Sequence, residues 1–253
     1  MSTTRRRRGA QKEFEAVEEK APESPIAPDS LIRPDDSRRY WSGIDADVNG
    51  MLGGYPGVSR IDLLGSKGFL SKIGLGRKQQ GVKTINAALE GGAGIGRITQ
   101  GLLLDIAETV DVVEPIAKFT AALEGRPGVG QIYNVGLEEW RPDPTTTYDL
   151  VWNQWCLGHL TDHQLEAYLR RCSAALSVDD DGQAKGVIVV KENLSTSEED
   201  LFDEIDSSVT RLDETFRRIF EEAGLRIIRT ELQHGFPHEL YPVRMYALKP
   251  KAT

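Results

Sequence analysis

Short uninterrupted apolar runs alternate along the chain with longer stretches in which apolar residues recur at helical spacing. Residues 84–90 form the clearest apolar run, ended by Glu90. It leads into Gly91-Gly92-Ala93-Gly94-Ile95-Gly96-Arg97, a glycine turn that opens a helix. Ile98, Leu102, Leu103 and Ile106 continue at helical spacing. Residues 110–114 predict a second buried strand, closed by Glu114 and followed by Pro115, a residue suited to the start of a helix. A third unit covers residues 130–140. A fourth strand, 148–155, runs into residues 156–160. Thr161 and Gln164 make a capping box, and Leu165, Leu169, Cys172 and Leu176 line one face of the helix it starts. Residues 186–191 predict a fifth strand with Asn193 just beyond it. Val209, Leu212, Phe216, Ile219 and Phe220 predict another amphipathic helix. Two late strands, 225–230 and 245–248, have no helix between them. The pattern predicts an α/β fold, a seven-stranded mostly parallel sheet with an antiparallel final hairpin.

The first third of the chain reads differently. Residues 1–36 are polar and carry Pro22, Pro25, Pro28 and Pro34, which predicts a disordered leader. A single domain is expected from 37 to 253. Its residues 37–76 supply N-terminal helices and a lid, and its core covers 84–253. Tyr40-Trp41 predicts the first docking element, and the glycine-rich stretch 48–55 a mobile lid. Val58, Ile61, Leu64, Phe69 and Leu70 predict a helix closed by Gly74 and Gly76.

Composition adds limits. The chain has 253 residues, 39% hydrophobic and 28% charged, with net charge −8, which fits a soluble globular protein and speaks against direct nucleic-acid binding. Arg5–Arg8 form a local basic run, read as a solvated tail or a nuclear address. Cys156 and Cys172 lack metal-ligand spacing and imply a reducing compartment, and no apolar run is long enough for a membrane span. The expected location is cytoplasmic, with the nucleus as a further site if the arginine run addresses it.

Ligands of open α/β sheets sit beyond the carboxyl ends of the strands. Glu114 lies 20 residues after Gly94, where such folds place a ribose-binding carboxylate. No Lys-Ser/Thr pair follows the glycines, so a phosphate-gripping loop is not expected. Arg97 suits a carboxylate. An adenosine with an amino-acid tail describes S-adenosylmethionine, although the glycine turn alone also allows an NAD-dependent dehydrogenase. Trp155, His159, Asn193 and Asp206 stand at or after strand ends as an acceptor half. His159 and His163 are four apart, but no carboxylate–His pattern completes a metal site, so none is expected.

The chain resembles the α-N-terminal protein methyltransferases, which modify Xaa-Pro-Lys amino termini, over roughly residues 38–249. The markers are Tyr40-Trp41, Gly50-Met51-Leu52-Gly53-Gly54-Tyr55, Gly92-Ala93-Gly94-Ile95-Gly96-Arg97, the run Gln154-Trp155 with Gly158-His159-Leu160-Thr161-Asp162, and Asp206-Ser207-Ser208-Val209. The resemblance implies a class I (Rossmann-like) methyltransferase fold. It implies S-adenosylmethionine as cofactor, held by Gly92, Gly94, Arg97, Glu114, Pro115, Leu137, Glu138 and Gln154. It implies that Trp155, Leu52, Gly53, Val58 and Leu240 wall a pocket for the substrate proline. Asn193 would hold the first residue's carbonyl, and Asp203 with Ser208 the lysine ammonium. Asp206 and His159 would orient the α-amine and take its proton. Tyr40, Trp41, Glu239 and Tyr241 would line the peptide channel. Implied partners are proteins with Xaa-Pro-Lys termini, ribosomal proteins among them. The alternative is another class I methyltransferase, acting on a protein side chain or a small molecule. Glu90, Glu114 and Glu192 stand where the family usually has aspartate, Glu138 where it has glutamine, and Asn49 where it has aspartate.

Overall fold

The computed structural model describes residues 26–76 and 83–251. Strands β1 (Ile85–Gly91), β2 (Ala107–Val113), β3 (Val129–Tyr133), β4 (Leu150–Gln154) and β5 (Val187–Asn193) pair in parallel. A small separate antiparallel hairpin follows, β6 (Leu201–Asp203) with β7 (Ser208–Thr210). The last strands, β8 (Leu225–Leu232) and β9 (Val243–Pro250), complete the main sheet antiparallel to β5 and to each other. The order across the seven-stranded sheet is β3-β2-β1-β4-β5-β9-β8. Successive strands move outward in opposite directions from β1 and β4, so the chain reverses between them. That reversal opens a crevice at their carboxyl ends.

Central strands read as apolar runs because both of their faces are covered. Leu89, Val151, Ile188 and Val190 point to one face and pack with Leu165, Tyr168, Phe216 and Phe220. These partners come from helices α6 (Asp162–Ala174) and α7 (Asp213–Glu222), numbered after α1 (Pro34–Gly43), α2 (Val48–Met51), α3 (Val58–Lys72), α4 (Arg97–Gly101) and α5 (Ala117–Thr120). On the opposite face Ala88, Leu150, Trp152 and Val189 pack with Phe69, Leu70, Ile98 and Leu103. The period of two along each strand therefore builds both cores at once. The capping box of α6 is present: Gln164 N–H donates to Thr161 Oγ1 at 3.2 Å, and Thr161 N–H to Gln164 Oε1 at 2.9 Å.

Three expectations are corrected. The leader does not extend to residue 36. Pro28–Leu31 is a 3₁₀ turn, Ile32 is buried, and α1 starts at Pro34 with Asp35 and Asp36 in its first turn, where the helix dipole favours acids. Arg5–Arg8 lie outside the described residues. Val209 does not belong to a helix with Phe216: it pairs with Phe202 in the small hairpin, and α7 begins at Asp213. The buried stripe of α3 is Val58, Asp62, Ser66, Phe69 and Leu70, whereas Ile61 and Leu64 are exposed. Two polar residues occupy the inner face because a buried lysine from β5, Lys191, lies beneath them.

Candidate active site

The glycine turn spans the top of the β1–β4 crevice. Gly92 and Gly94 have φ of 67° and 52°, the left-handed region that side chains resist. A Cβ on Gly92 would lie 2.2 Å from Cys156 Cβ, and one on Gly94 would lie 2.8 Å from Met51 Sδ. Backbone alone can occupy this cradle. At the end of β2, Glu114 is buried and accepts from Gly94 N–H and from Ile116 N–H, both at 2.9 Å. Burial raises its carboxyl above the usual range, and the two backbone donors oppose the shift. A carboxylate has further acceptor positions beyond those two, and Glu114 lines the cavity below the turn. Glu90, at the end of β1, accepts from Thr99 Oγ1, and burial pushes it up to about 8.

All eight residues expected to hold the cofactor line this one cavity: Gly92, Gly94, Arg97, Glu114, Pro115, Leu137, Glu138 and Gln154. The glycine cradle, the carboxylate at the end of β2 and the guanidinium of Arg97 fit the ribose and amino-acid parts of S-adenosylmethionine. Arg97 is not a lone anion receptor, however. Its Nη1 donates to Asp62 Oδ2 at 2.6 Å, and its guanidinium lies 5.5 Å from the Trp155 ring centroid. Helix α1 roofs the cavity with Pro34, Ser37, Arg38 and Trp41. Arg38 ties the roof down by donating to Glu138 and Glu139, each at 2.8 Å. Glu138, expected only as a contact near the adenine, is thus also an anchor for the N-terminal helix.

A second cavity adjoins the first. Trp41, Met51, Trp155 and His159 line both. Leu52 and Gly53 from the lid, Val58 from α3, Leu240 and Tyr241 from the loop before β9, and Asn193 from β5 complete its apolar and amide walls. Asp203, Asp206 and Ser208 reach it from the β6–β7 hairpin. Two expected residues do not line it. Glu239 is exposed outside, whereas Phe236, Leu240 and Tyr241 of the same loop line the cavity. Tyr40 packs edge-on against Trp41 at 5.4 Å, and burial followed by the charges of Asp206 and Asp203 raises its phenol. Those two acids do line the cavity.

Trp155 Nε1 and Asp206 Oδ1 are the two cavity-lining atoms among the buried side-chain polar atoms left unpaired among the described residues, the others being Trp140 Nε1, Arg171 Nε and Arg244 Nε elsewhere. Trp155 and Ser207 are the non-glycine residues with positive φ among those described, at 53° and 55°. Ser207 holds its turn by accepting Arg33 N–H on Oγ at 2.7 Å. Asp206 Oδ1 and Trp155 Nε1 are buried without a hydrogen-bond partner among the described residues. Buried polar atoms are normally paired, so these two mark a place where a ligand belongs.

His159 is held from both sides. Its Nε2 accepts from Trp41 Nε1 at 3.0 Å, and its Nδ1 lies 2.9 Å from Ser37 Oγ. An indole N–H can only donate, so Nε2 carries a lone pair and the proton sits on Nδ1. Burial lowers the imidazole below its ordinary value, while Asp206 and the Ser207 backbone push back up. Both nitrogens are therefore engaged in pinning α1.

Ser37, Arg38, Phe236 and Asp62 were not anticipated. Asp62 was detectable: Val58, Asp62, Ser66 and Phe69 share one helical face, so a polar pair on the buried stripe is a signal.

Comparison with known proteins agrees with this geometry. A family profile described as AdoMet-dependent proline di-methyltransferase matches residues 29–249. The alpha N-terminal protein methyltransferase 1 of Schizosaccharomyces pombe is 47% identical over 225 residues, covering 86% of this chain and 96% of the relative. The N-terminal Xaa-Pro-Lys N-methyltransferase 1 of Xenopus tropicalis is 40% identical over 220 residues, covering 84% and 93%. Among solved structures, a SAM-dependent methyltransferase from Leishmania major superposes with a TM-score of 0.73 at 35% identity, covering 85% of this chain and 82% of the other. With the glycine cradle, the strand-end acid and the sheet order in place, the chain belongs to the AdoMet-dependent proline di-methyltransferase family.

Proposed function

We propose that the protein transfers a methyl group from S-adenosylmethionine to the free α-amino group of proteins that begin Xaa-Pro-Lys once the initiator methionine is removed; ribosomal proteins with such termini fall in this class. The observation that carries the proposal is the partnerless, buried Oδ1 of Asp206, in a cavity that shares a wall with the cofactor cavity.

A free α-amine has a pKa of about 7.7–8.0, so at neutral pH much of it is protonated and lacks the lone pair it needs. Asp206 faces the place where that amine would enter, and it accepts a proton and a hydrogen bond from it. The bound cofactor supplies an electrophilic methyl group on a sulfonium. The chain's own residues then bring the amine into line with it. Trp155, Leu52, Val58 and Leu240 offer an apolar wall for the second-position proline ring. Asn193, at the end of β5, has an amide for the first residue's carbonyl. Asp203 and Ser208, paired across the hairpin register, offer a carboxylate and a hydroxyl to the lysine ammonium. Trp41 and the α1 roof separate the reacting centre from bulk water.

The test is mass spectrometry of an Xaa-Pro-Lys peptide and its N-acetylated twin after incubation with S-adenosylmethionine. Methyl increments on the free peptide alone are expected. Equal methylation of both would move the acceptor to a side chain and overturn the proposal.

A further inference from the structure

The α3 residue Asp62 belongs neither to the glycine turn nor to the substrate loops, yet it is fully buried between them. Its Oδ2 accepts from Arg97 at 2.6 Å and its Oδ1 from Gln154 Nε2 at 2.9 Å. Lys191 Nζ lies 2.5 Å from the same Oδ1 and also donates to Ser66 Oγ at 3.0 Å and Gln233 Oε1 at 2.8 Å. Gln154 is fixed from the other side as well, since Trp152 Nε1 donates to its Oε1 at 3.2 Å. Both oxygens of one carboxylate are therefore committed, and they set the orientation of two side chains that line the cofactor cavity, Arg97 and Gln154.

Charge adds a second argument. The ion pairs of Arg97 and of Lys191 both end on Asp62, so one carboxylate faces two cations in a buried cluster. Arg97 stands at the cavity edge of this cluster. An anionic ligand group beside it would complete the balance, and the fork of a guanidinium whose Nη1 is held by Asp62 is already aimed.

Resting on the methyltransferase reading above, we propose that Asp62 is the positioning residue for the amino-acid tail of the cofactor. It holds Arg97 and Gln154 in the geometry that grips the tail carboxylate. Through the Arg97–Trp155 contact it also sets the wall between the two cavities. Lys191 keeps the Asp62 carboxylate in place from below. The adenosine part of the ligand, gripped by the glycine turn and Glu114, does not depend on it.

The proposal separates two ligands. S-adenosylhomocysteine carries the tail, and 5′-methylthioadenosine lacks it. In calorimetric titrations of the full chain, Asp62→Asn should weaken S-adenosylhomocysteine by about tenfold or more while 5′-methylthioadenosine stays within about twofold of wild type. Removing the carboxylate strands two buried cations, so the doubly substituted Asp62→Asn/Lys191→Met protein guards against loss of folding. It should show the same tail-selective loss, because Arg97 still lacks its anionic partner. Equal weakening of both ligands in a folded variant would make Asp62 merely structural, and unchanged affinity for both would remove the role altogether; either result overturns the proposal. A wild-type protein that bound neither molecule would instead overturn the methyltransferase reading on which it rests.

Discussion

The cofactor cavity draws most of its chemistry from local features of successive strand–helix units: the turn after β1, the acid ending β2, the residues after β3 and the amide ending β4. The acceptor cavity gathers α1, the lid, α3, β5, the β6–β7 hairpin and the loop before β9. The first is largely pre-paired. Glu114 accepts two backbone donors, and Asp62 fixes Arg97 and Gln154. The second keeps Asp206 Oδ1 unpaired among the described residues, next to Ser207 in strained backbone, and shares with the first the strained Trp155 and its unpaired Nε1. A common cofactor is met by a pre-paired site. A selective acceptor is met by polarity held in reserve, which strain and long-range packing keep in place.

If that contrast is right, damage to Asp206 should fall on one side only. Asp206→Asn is expected to lower kcat/KM for an Xaa-Pro-Lys peptide by about 10²–10⁴-fold, the usual span of a general base, with S-adenosylhomocysteine affinity unchanged. Full activity in that variant would take Asp206 out of the proton-accepting role.

Glu192 sharpens the comparison through pH. Its Oε1 accepts from Cys156 N–H and Leu157 N–H at 2.9 Å, holding the turn after β4, and burial raises it to about 7 from 4.5. Between those values the folded state keeps a proton that the unfolded chain releases. Stability from this group is thus fully present below about pH 4.5, declines as pH rises, and is lost by about pH 7. Glu192→Gln keeps an acceptor for the turn and removes the titration. Denaturant melts should show its stability, relative to wild type, gaining at most about 1.4 kcal/mol per pH unit across that window. Parallel profiles for the two proteins would contradict the assignment.

Trp155 belongs to both cavities, so Trp155→Ala should weaken both peptide and S-adenosylhomocysteine, each by about tenfold, the scale of losing one buried aromatic anchor. An effect confined to one ligand would mean that the ring is not the shared wall. The smallest change is expected at the roof. Arg38 and Glu138 are partly exposed, and such pairs contribute about 0.2–1 kcal/mol. Arg38→Ala should therefore speed cofactor release in stopped-flow by no more than about fivefold.

The contrast between the cavities also explains what could be read from the sequence. The glycine turn, Glu114 and the strand ends are local patterns, and all eight cofactor residues met in one cavity. Trp155, His159, Asn193 and Asp206 were read as an acceptor half from their places at or after strand ends, whereas Leu52, Val58, Asp203, Ser208 and Leu240 came from resemblance to a family, because no local spacing announces that these residues share a pocket. Asp62 was missed because Ile61 and Leu64 suggested a different buried stripe, and only Lys191, far along the chain, makes a polar inner face stable. The hairpin escaped notice because each of its strands is three residues long. The role expected of His159 came from the same family resemblance, and its hydrogen-bond partners were not legible. Its two nitrogens were in fact committed to Ser37 and Trp41, residues over a hundred positions away.

In the proposed reaction an amino terminus enters the second cavity and meets Asp206 beside the shared wall. A crystal structure of the protein with S-adenosylhomocysteine and an Xaa-Pro-Lys peptide measures this directly. The account predicts the peptide α-nitrogen within hydrogen-bond reach of Asp206 Oδ1, roughly 2.6–3.2 Å, with the proline ring on Trp155 and the nitrogen facing the cofactor sulfur. A peptide bound with its amino terminus in solvent, or with Asp206 turned away from it, would contradict the claim.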